Sequence, residues 1–137
     1  PVAEGNIGGG TAMICFDFKC GPGTSSRVTA VAGEAYTVGV LVQANFGARD
    51  QLIVAGVPVG KRLADDGEYA ARRKDFSGVG SIIIVVGTDA PLLPHPLKRL
   101  VRRAALGLAR TGSIAMNGSG EIFIAFSTGT DGFYQEE

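Results

Sequence analysis

Residues 80–113 read GSIIIVVGTDAPLLPHPLKRLVRRAALGLARTGS, and two periodicities meet within this one stretch. Ile82 to Val86 form an unbroken β-branched run, which predicts a strand. Beyond Gly87 the pattern changes. Leu97, Leu100, Val101, Ala104, Ala105 and Leu108 recur at i, i+3, i+4, i+7, i+8 and i+11, the apolar face of a helix over 94–110. Pro94 and Pro96 suit its first turn, and Gly112 suits the position past its end. Lys98, Arg99, Arg102 and Arg103 fall on the other side, which reads as a solvated face rather than a site for an acidic partner. A strand followed by a covering helix is the signature of a layered domain.

Upstream, residues 1–10 predict a loop, and TAMICFDF (11–18) a loosely alternating strand. KCGPGTSS (19–26) predicts a turn built on Gly21-Pro22-Gly23, and SRVTAV (26–31) a short strand with Arg27 and Thr29 on one face. AYTVGVLVQANFG (35–47) is nearly continuous in apolar residues, as in a strand buried on both faces. QLIVAGVPVG (51–60) predicts another, with Pro58 weakening its end. Residues 61–79 are the most polar stretch and predict an exposed loop. Downstream of the helix, a glycine-rich loop leads to a last strand, IFIAFST (122–128). The fold class is therefore α/β or α+β, with several strands and at least one covering helix.

The chain has 137 residues, enough for one domain with a real core. Its 13 basic residues balance its 13 acidic ones, which argues against nucleic acid or an anionic membrane as partner. No apolar run reaches the roughly 18 residues that span a bilayer. The only histidine, His95, allows a histidine-based triad but no histidine metal cluster, and no metal or cofactor is expected. On one continuous strand, Cys15 and Cys20 would face opposite ways, so they read as buried, inert thiols. The 21 glycines point to tight turns and close backbone approaches.

Four groups of residues bear chemistry. Gly80-Ser81 joins an unshielded carbonyl to a hydroxyl, the pairing needed for an N-to-O acyl shift and a new N-terminal serine. An α-amine of pKa near 8 is a usable base beside that hydroxyl. NGSGE (117–121) sets Ser119 and Glu121 two apart, a hydroxyl and a carboxylate able to support a nucleophile. Asn45 is an amide among apolar residues, suited to an oxyanion. The glycine run in GNIGGGTAM (5–13) precedes a strand and lacks a following Lys-Ser/Thr, so it predicts tight packing rather than nucleotide binding. Taken singly, the first three read more readily as a turn glycine before a strand, a hairpin-like turn and a strand-end turn former than as catalytic groups.

Together, EGNIGGGTAMICFDFKCGPGTSSR (4–27), YTVGVLVQANFG (36–47), residues 80–113 and NGSGEIFIAFST (117–128) resemble the L-aminopeptidase/D-esterase family, which includes the β-peptidyl aminopeptidases. The blocks are co-linear over almost the whole chain, apart from the polar loop. The resemblance implies a layered αββα sandwich like that of N-terminal nucleophile hydrolases, with different strand connectivity. It also implies a precursor that cuts itself between Gly80 and Ser81, with Ser81 as nucleophile. Ser119 would then support Ser81, Glu121 orient it or the substrate amine, and Asn45 serve the oxyanion hole. Residues 1–137 would form one partial domain, with 1–80 ending a first subunit and 81–137 starting a second. The implied substrates are peptides or aminoacyl amides and esters, and the implied assembly is a homo-oligomer of processed heterodimers.

Family precursors extend beyond both ends of this chain, which opens on Pro1, so an internal segment is expected. The expected location is cytoplasmic. An acyltransferase of the ornithine acetyltransferase type is the alternative enzyme, although that group cuts before threonine rather than serine. A non-catalytic assembly or binding member of the same fold is the alternative outside enzymes.

Overall fold

The computed structural model describes residues 1–63 and 80–130, so the expected polar loop lies outside it from residue 64 onward. The elements in chain order are β1 (Ile14–Cys15), β2 (Phe18–Lys19), β3 (Pro22–Val31), β4 (Glu34–Asn45), α1 (Val59–Leu63), β5 (Gly80–Thr88), α2 (Pro94–Val101), α3 (Arg103–Arg110) and β6 (Ser119–Ser127). Short 3-10 turns at Gly8–Gly10 and Arg49–Gln51 complete the set.

The main sheet has the order β3-β4-β5-β6. β3, β4 and β5 are mutually antiparallel neighbours, whereas β5 and β6 run parallel. Parallel neighbours need a crossover, and α2 with α3 supplies it. Gly80, Ile82, Ile84, Val86 and Thr88 of β5 are all buried, while Ser81 and Ile83 between them are exposed. Ile82, Ile84 and Val86 join Ala44, Phe46, Phe16 and Leu108 in the core, with Leu100, Val101 and Ala104 packed against them. Burial of each large side chain contributes about 1.5–3 kcal/mol. The opposite sheet face carries Ile83, Ile122, Ile124 and Phe126, each 40–55 % exposed. A sheet face this apolar is suited to cover by a further layer.

The β5 strand, the helix and the last strand occur where the sequence predicts them. Arg102 separates α2 from α3, yet the apolar face persists through both except at Ala105, which is exposed. Gly112 follows with φ 104°, and a Cβ there would lie 1.7 Å from the Gln51 carbonyl oxygen, so only glycine fits. The last strand starts at Ser119 and absorbs most of the NGSGE stretch, which is therefore no hairpin turn.

Five expectations need correction. Residues 11–18 are not one strand: Phe16 and Asp17 have φ of 48° and 60°, which folds the chain into the β1–β2 hairpin. That turn brings Cys15 and Cys20 together as a disulfide with Cα atoms 5.4 Å apart, so they are not free thiols. Residues 22–25 already belong to β3. Residues 51–60 form no strand: Ala55 and Gly56, both at positive φ, make a tight turn bridged by Val54 and Val57, and α1 follows. Finally, β4 is half-buried along most of its length, since only one face meets the core.

The glycine-rich N-terminus packs closely, as expected. A Cβ on Gly10 would meet the Gly5 carbonyl oxygen at 2.2 Å and Gly21 Cα at 2.8 Å. Glu4 clasps this region to β3 by accepting hydrogen bonds from the Thr24 hydroxyl and, at 2.8 Å, from its backbone N–H. These two bonds hold the Glu4 carboxyl below its ordinary pKa.

Candidate active site

Ser81 stands second in β5, flanked by buried Gly80 and Ile82, and strand alternation turns its side chain to the exposed face. Two neighbours meet it there. Across the antiparallel pair it faces Asn45, the last residue of β4, so both side chains share one face. Across the parallel pair it faces Gly120, whose backbone N–H donates to Ser81 Oγ at 3.3 Å. An N–H aimed at a hydroxyl oxygen stabilises negative charge there and so eases loss of its proton.

Asn45 is itself fixed. Ile14 N–H, at the start of β1, donates to Asn45 Oδ1 at 3.1 Å. A backbone donor requires the amide oxygen on that side, which sets the flip of the group and turns Nδ2 the other way. Nδ2 donates to no acceptor among the described residues. Buried Ala44 and Phe46 on either side of Asn45 anchor its backbone in the core.

Gly80 is tightly held. A Cβ there would lie 2.3 Å from the Asn45 carbonyl oxygen and 3.0 Å from Phe46 Cα. Glycine therefore lets the backbone on the N-terminal side of Ser81 lie directly against β4.

Ser119 and Glu121 are placed differently from Asn45. Ser119 is aligned with Gly80 and Glu121 with Ile82, on either side of Gly120. Register thus puts Glu121 on the core side of the sheet, half-buried, where it lines a cavity of about 360 Å³ with Leu108, Ser113, Ile114 and Phe123. The structure brings Ser81, Asn45 and the Gly120 N–H together, and does not bring the Glu121 carboxylate to the Ser81 hydroxyl. Two participants were missed in the sequence. Gly120 acts through its backbone, and its only trace was the glycine between Ser119 and Glu121. The Ile14 N–H left no trace at all. Among the described residues, no group of three or more His, Cys, Asp or Glu side chains is placed to hold a metal ion.

The profile of Peptidase family S58 matches residues 1–136. Beta-peptidyl aminopeptidase BapA of Sphingosinicella microcystinivorans is 55 % identical over 139 residues, covering 93 % of this chain and 35 % of that protein. Among solved structures, the L-aminopeptidase D-Ala-esterase/amidase of Ochrobactrum anthropi, described as a prototype serine aminopeptidase and a variant of the Ntn hydrolase fold, superposes with a TM-score of 0.82 at 54 % identity, over 93 % of this chain and 33 % of that one. A Burkholderia beta-aminopeptidase gives 0.80 at 52 % identity, over 96 % and 35 %. The fold is that of these Ntn-hydrolase aminopeptidases, and the chain spans about a third of the length of the relatives it matches.

Proposed function

The chain belongs to Peptidase family S58, and we propose that it carries the cleavage site and the nucleophile of a self-processing serine aminopeptidase. The observation that carries this reading is the convergence on Ser81 Oγ: the Gly120 N–H donates to it, and Asn45 faces it across the strand pair.

In the processing step, Ser81 Oγ attacks the Gly80 carbonyl carbon. The hydroxyl proton passes to the departing Ser81 nitrogen, the C–N bond breaks, and Gly80 becomes an ester on Oγ. Water then hydrolyses the ester. Gly80 is left with a carboxylate and Ser81 with a free α-amine. Residues 1–80 thus end one subunit and residues 81–137 open the next.

In turnover, the α-amine takes the Oγ proton as Oγ attacks the carbonyl of an N-terminal residue in a peptide, amide or ester. Asn45 Nδ2 donates to the developing oxyanion, an interaction stronger in the transition state than in the ground state. The released amine, or for an ester the released alcohol, leaves with the proton, and water cleaves the acyl-serine. Ser119, beside the cleavage site in register, supports the nucleophile.

The test is the full-length protein and its Ser81→Ala variant, followed by intact mass and by hydrolysis of an aminoacyl amide. Wild type should separate into two pieces and turn over. The variant should stay whole and inactive. A variant that still splits before residue 81, or still hydrolyses the amide, would overturn the proposal.

A further inference from the structure

We infer that the Cys15–Cys20 disulfide is a redox-sensitive latch that positions Asn45, and through it the oxyanion donor, by holding the hairpin whose Ile14 N–H grips the Asn45 amide. The inference rests on the reading of Asn45 as that donor.

The hairpin is poorly suited to stand alone. β1 and β2 have two residues each and pair only with one another among the described strands; isolated two-stranded hairpins are at best marginal. Its turn residues Phe16 and Asp17, and Ala12 just before it, all sit at positive φ without being glycine, a conformation that L-residues adopt at a penalty.

Its tip is well anchored. Phe16 N–H donates to the Phe46 carbonyl at 2.9 Å, the Phe16 ring meets Phe46 edge-on at 5.0 Å, and Arg49 N–H donates to Asp17 Oδ2 at 2.8 Å. Its base, where Ile14 lies, is closed differently. There Cys20 N–H donates to the Met13 carbonyl at 3.0 Å, and the disulfide ties Cys20 to Cys15, the residue after Ile14. The covalent link is therefore adjacent to the one hydrogen bond that sets the Asn45 amide. With the link open, the base keeps the Cys20–Met13 bond, the two-residue ladder and two flanking backbone bonds, Met13 N–H to the Gly10 carbonyl at 3.0 Å and Ala44 N–H to the Gly21 carbonyl at 3.2 Å, but loses its one covalent tie beside Ile14, and the amide can turn or drift. Core anchoring of Ala44 and Phe46 keeps the strand in place, so the loss falls on amide orientation rather than on the fold.

Opening the latch takes a dithiol. One of its thiolates attacks a sulfur of the disulfide and forms a mixed disulfide, and its second thiol displaces the protein. Two electrons pass to the protein, which gains two thiols, and the reagent leaves as its cyclic disulfide.

The experiment uses the processed full-length enzyme. Dithiothreitol is added, free thiols are counted by alkylation and mass, and kcat and KM are measured on an aminoacyl amide. We expect kcat to fall about tenfold or more, less than the 10²–10³ of a deleted donor, with KM little changed and activity restored on reoxidation. Cys20→Ser should show the lowered kcat without any response to dithiothreitol. Unchanged kcat with both thiols free would overturn the inference, as would a loss that tracks unfolding by circular dichroism. Asn45→Ala, normalised to its cut fraction, separates the two readings. If it turns over like wild type, the oxyanion role of Asn45 itself is refuted. If it is slow and reduction slows it no further, the latch acts through Asn45. A further loss by the same factor would show that it does not.

Discussion

Replacing Gly80 by alanine separates two reasons for a glycine before the nucleophile. One is access, an unshielded carbonyl for Ser81 to attack. The other is packing, and the structure favours packing strongly. The alanine Cβ would lie 2.3 Å from the Asn45 carbonyl oxygen and 3.0 Å from Phe46 Cα. Ordinary carbon contacts begin near 3.4–3.5 Å, so β5 must move from β4 by roughly 1 Å at its first residue. The obstacle is backbone, not a side chain that can swing away. Gly80 has no positive φ, so no conformational penalty confuses the comparison. Overpacking of this kind costs about 1–3 kcal/mol.

The clean assay uses the uncut background. Ser81→Ala and Gly80→Ala/Ser81→Ala are compared by thermal unfolding, where no cleavage intervenes. The double variant should melt lower, by about 2–4 °C per kcal/mol for a domain of 150–250 residues. In the Ser81 background, Gly80→Ala should also slow processing by about 10²-fold, the scale of a 1 Å misplacement at a reacting pair. Equal melting of the two uncut proteins would refute the packing argument. It would leave carbonyl access as the reason for the glycine.

Two other perturbations test the surroundings of the site. Phe16→Ala keeps an L-residue at φ 48° but removes a buried ring that packs on Phe46; it should destabilise by about 3–5 kcal/mol, read by denaturant unfolding. Glu4 has a lowered pKa in the folded state, so its contribution is present above its ordinary value of 4.5 and lost as pH falls through the lowered one. Glu4→Gln should therefore flatten stability against pH in that acid window and leave the slope near neutrality unchanged.

The main strands were legible because burial imposes simple patterns on them. Ile82 to Val86 could only be a strand, and Leu97 to Leu108 could only present one helical face. The hairpin was not legible. Tight turns at positive φ usually announce themselves through Asn-Gly or Asp-Gly, and Phe16-Asp17 carries neither. Once that turn was missed, strand alternation put Cys15 and Cys20 on opposite faces, and the disulfide was lost with it. QLIVAGVPVG misled for a related reason: its apolar content was real, but Ala55-Gly56 folds it back after Val54. The candidate site was legible in part. Gly80, Ser81 and Asn45 stood out as residue types in telling contexts. The parallel pairing of β5 with β6 is a property of two strands together, and neither one's periodicity encodes it. So the role of the Gly120 N–H, and the turn of Glu121 to the other face, emerged only from the register.

The most direct test of the account is the N-terminal sequence of the purified full-length protein. It predicts a second terminus reading Ser-Ile-Ile-Ile-Val-Val, beginning at Ser81 and absent from the Ser81→Ala variant. A single intact chain after prolonged incubation, with hydrolytic activity present, would contradict it.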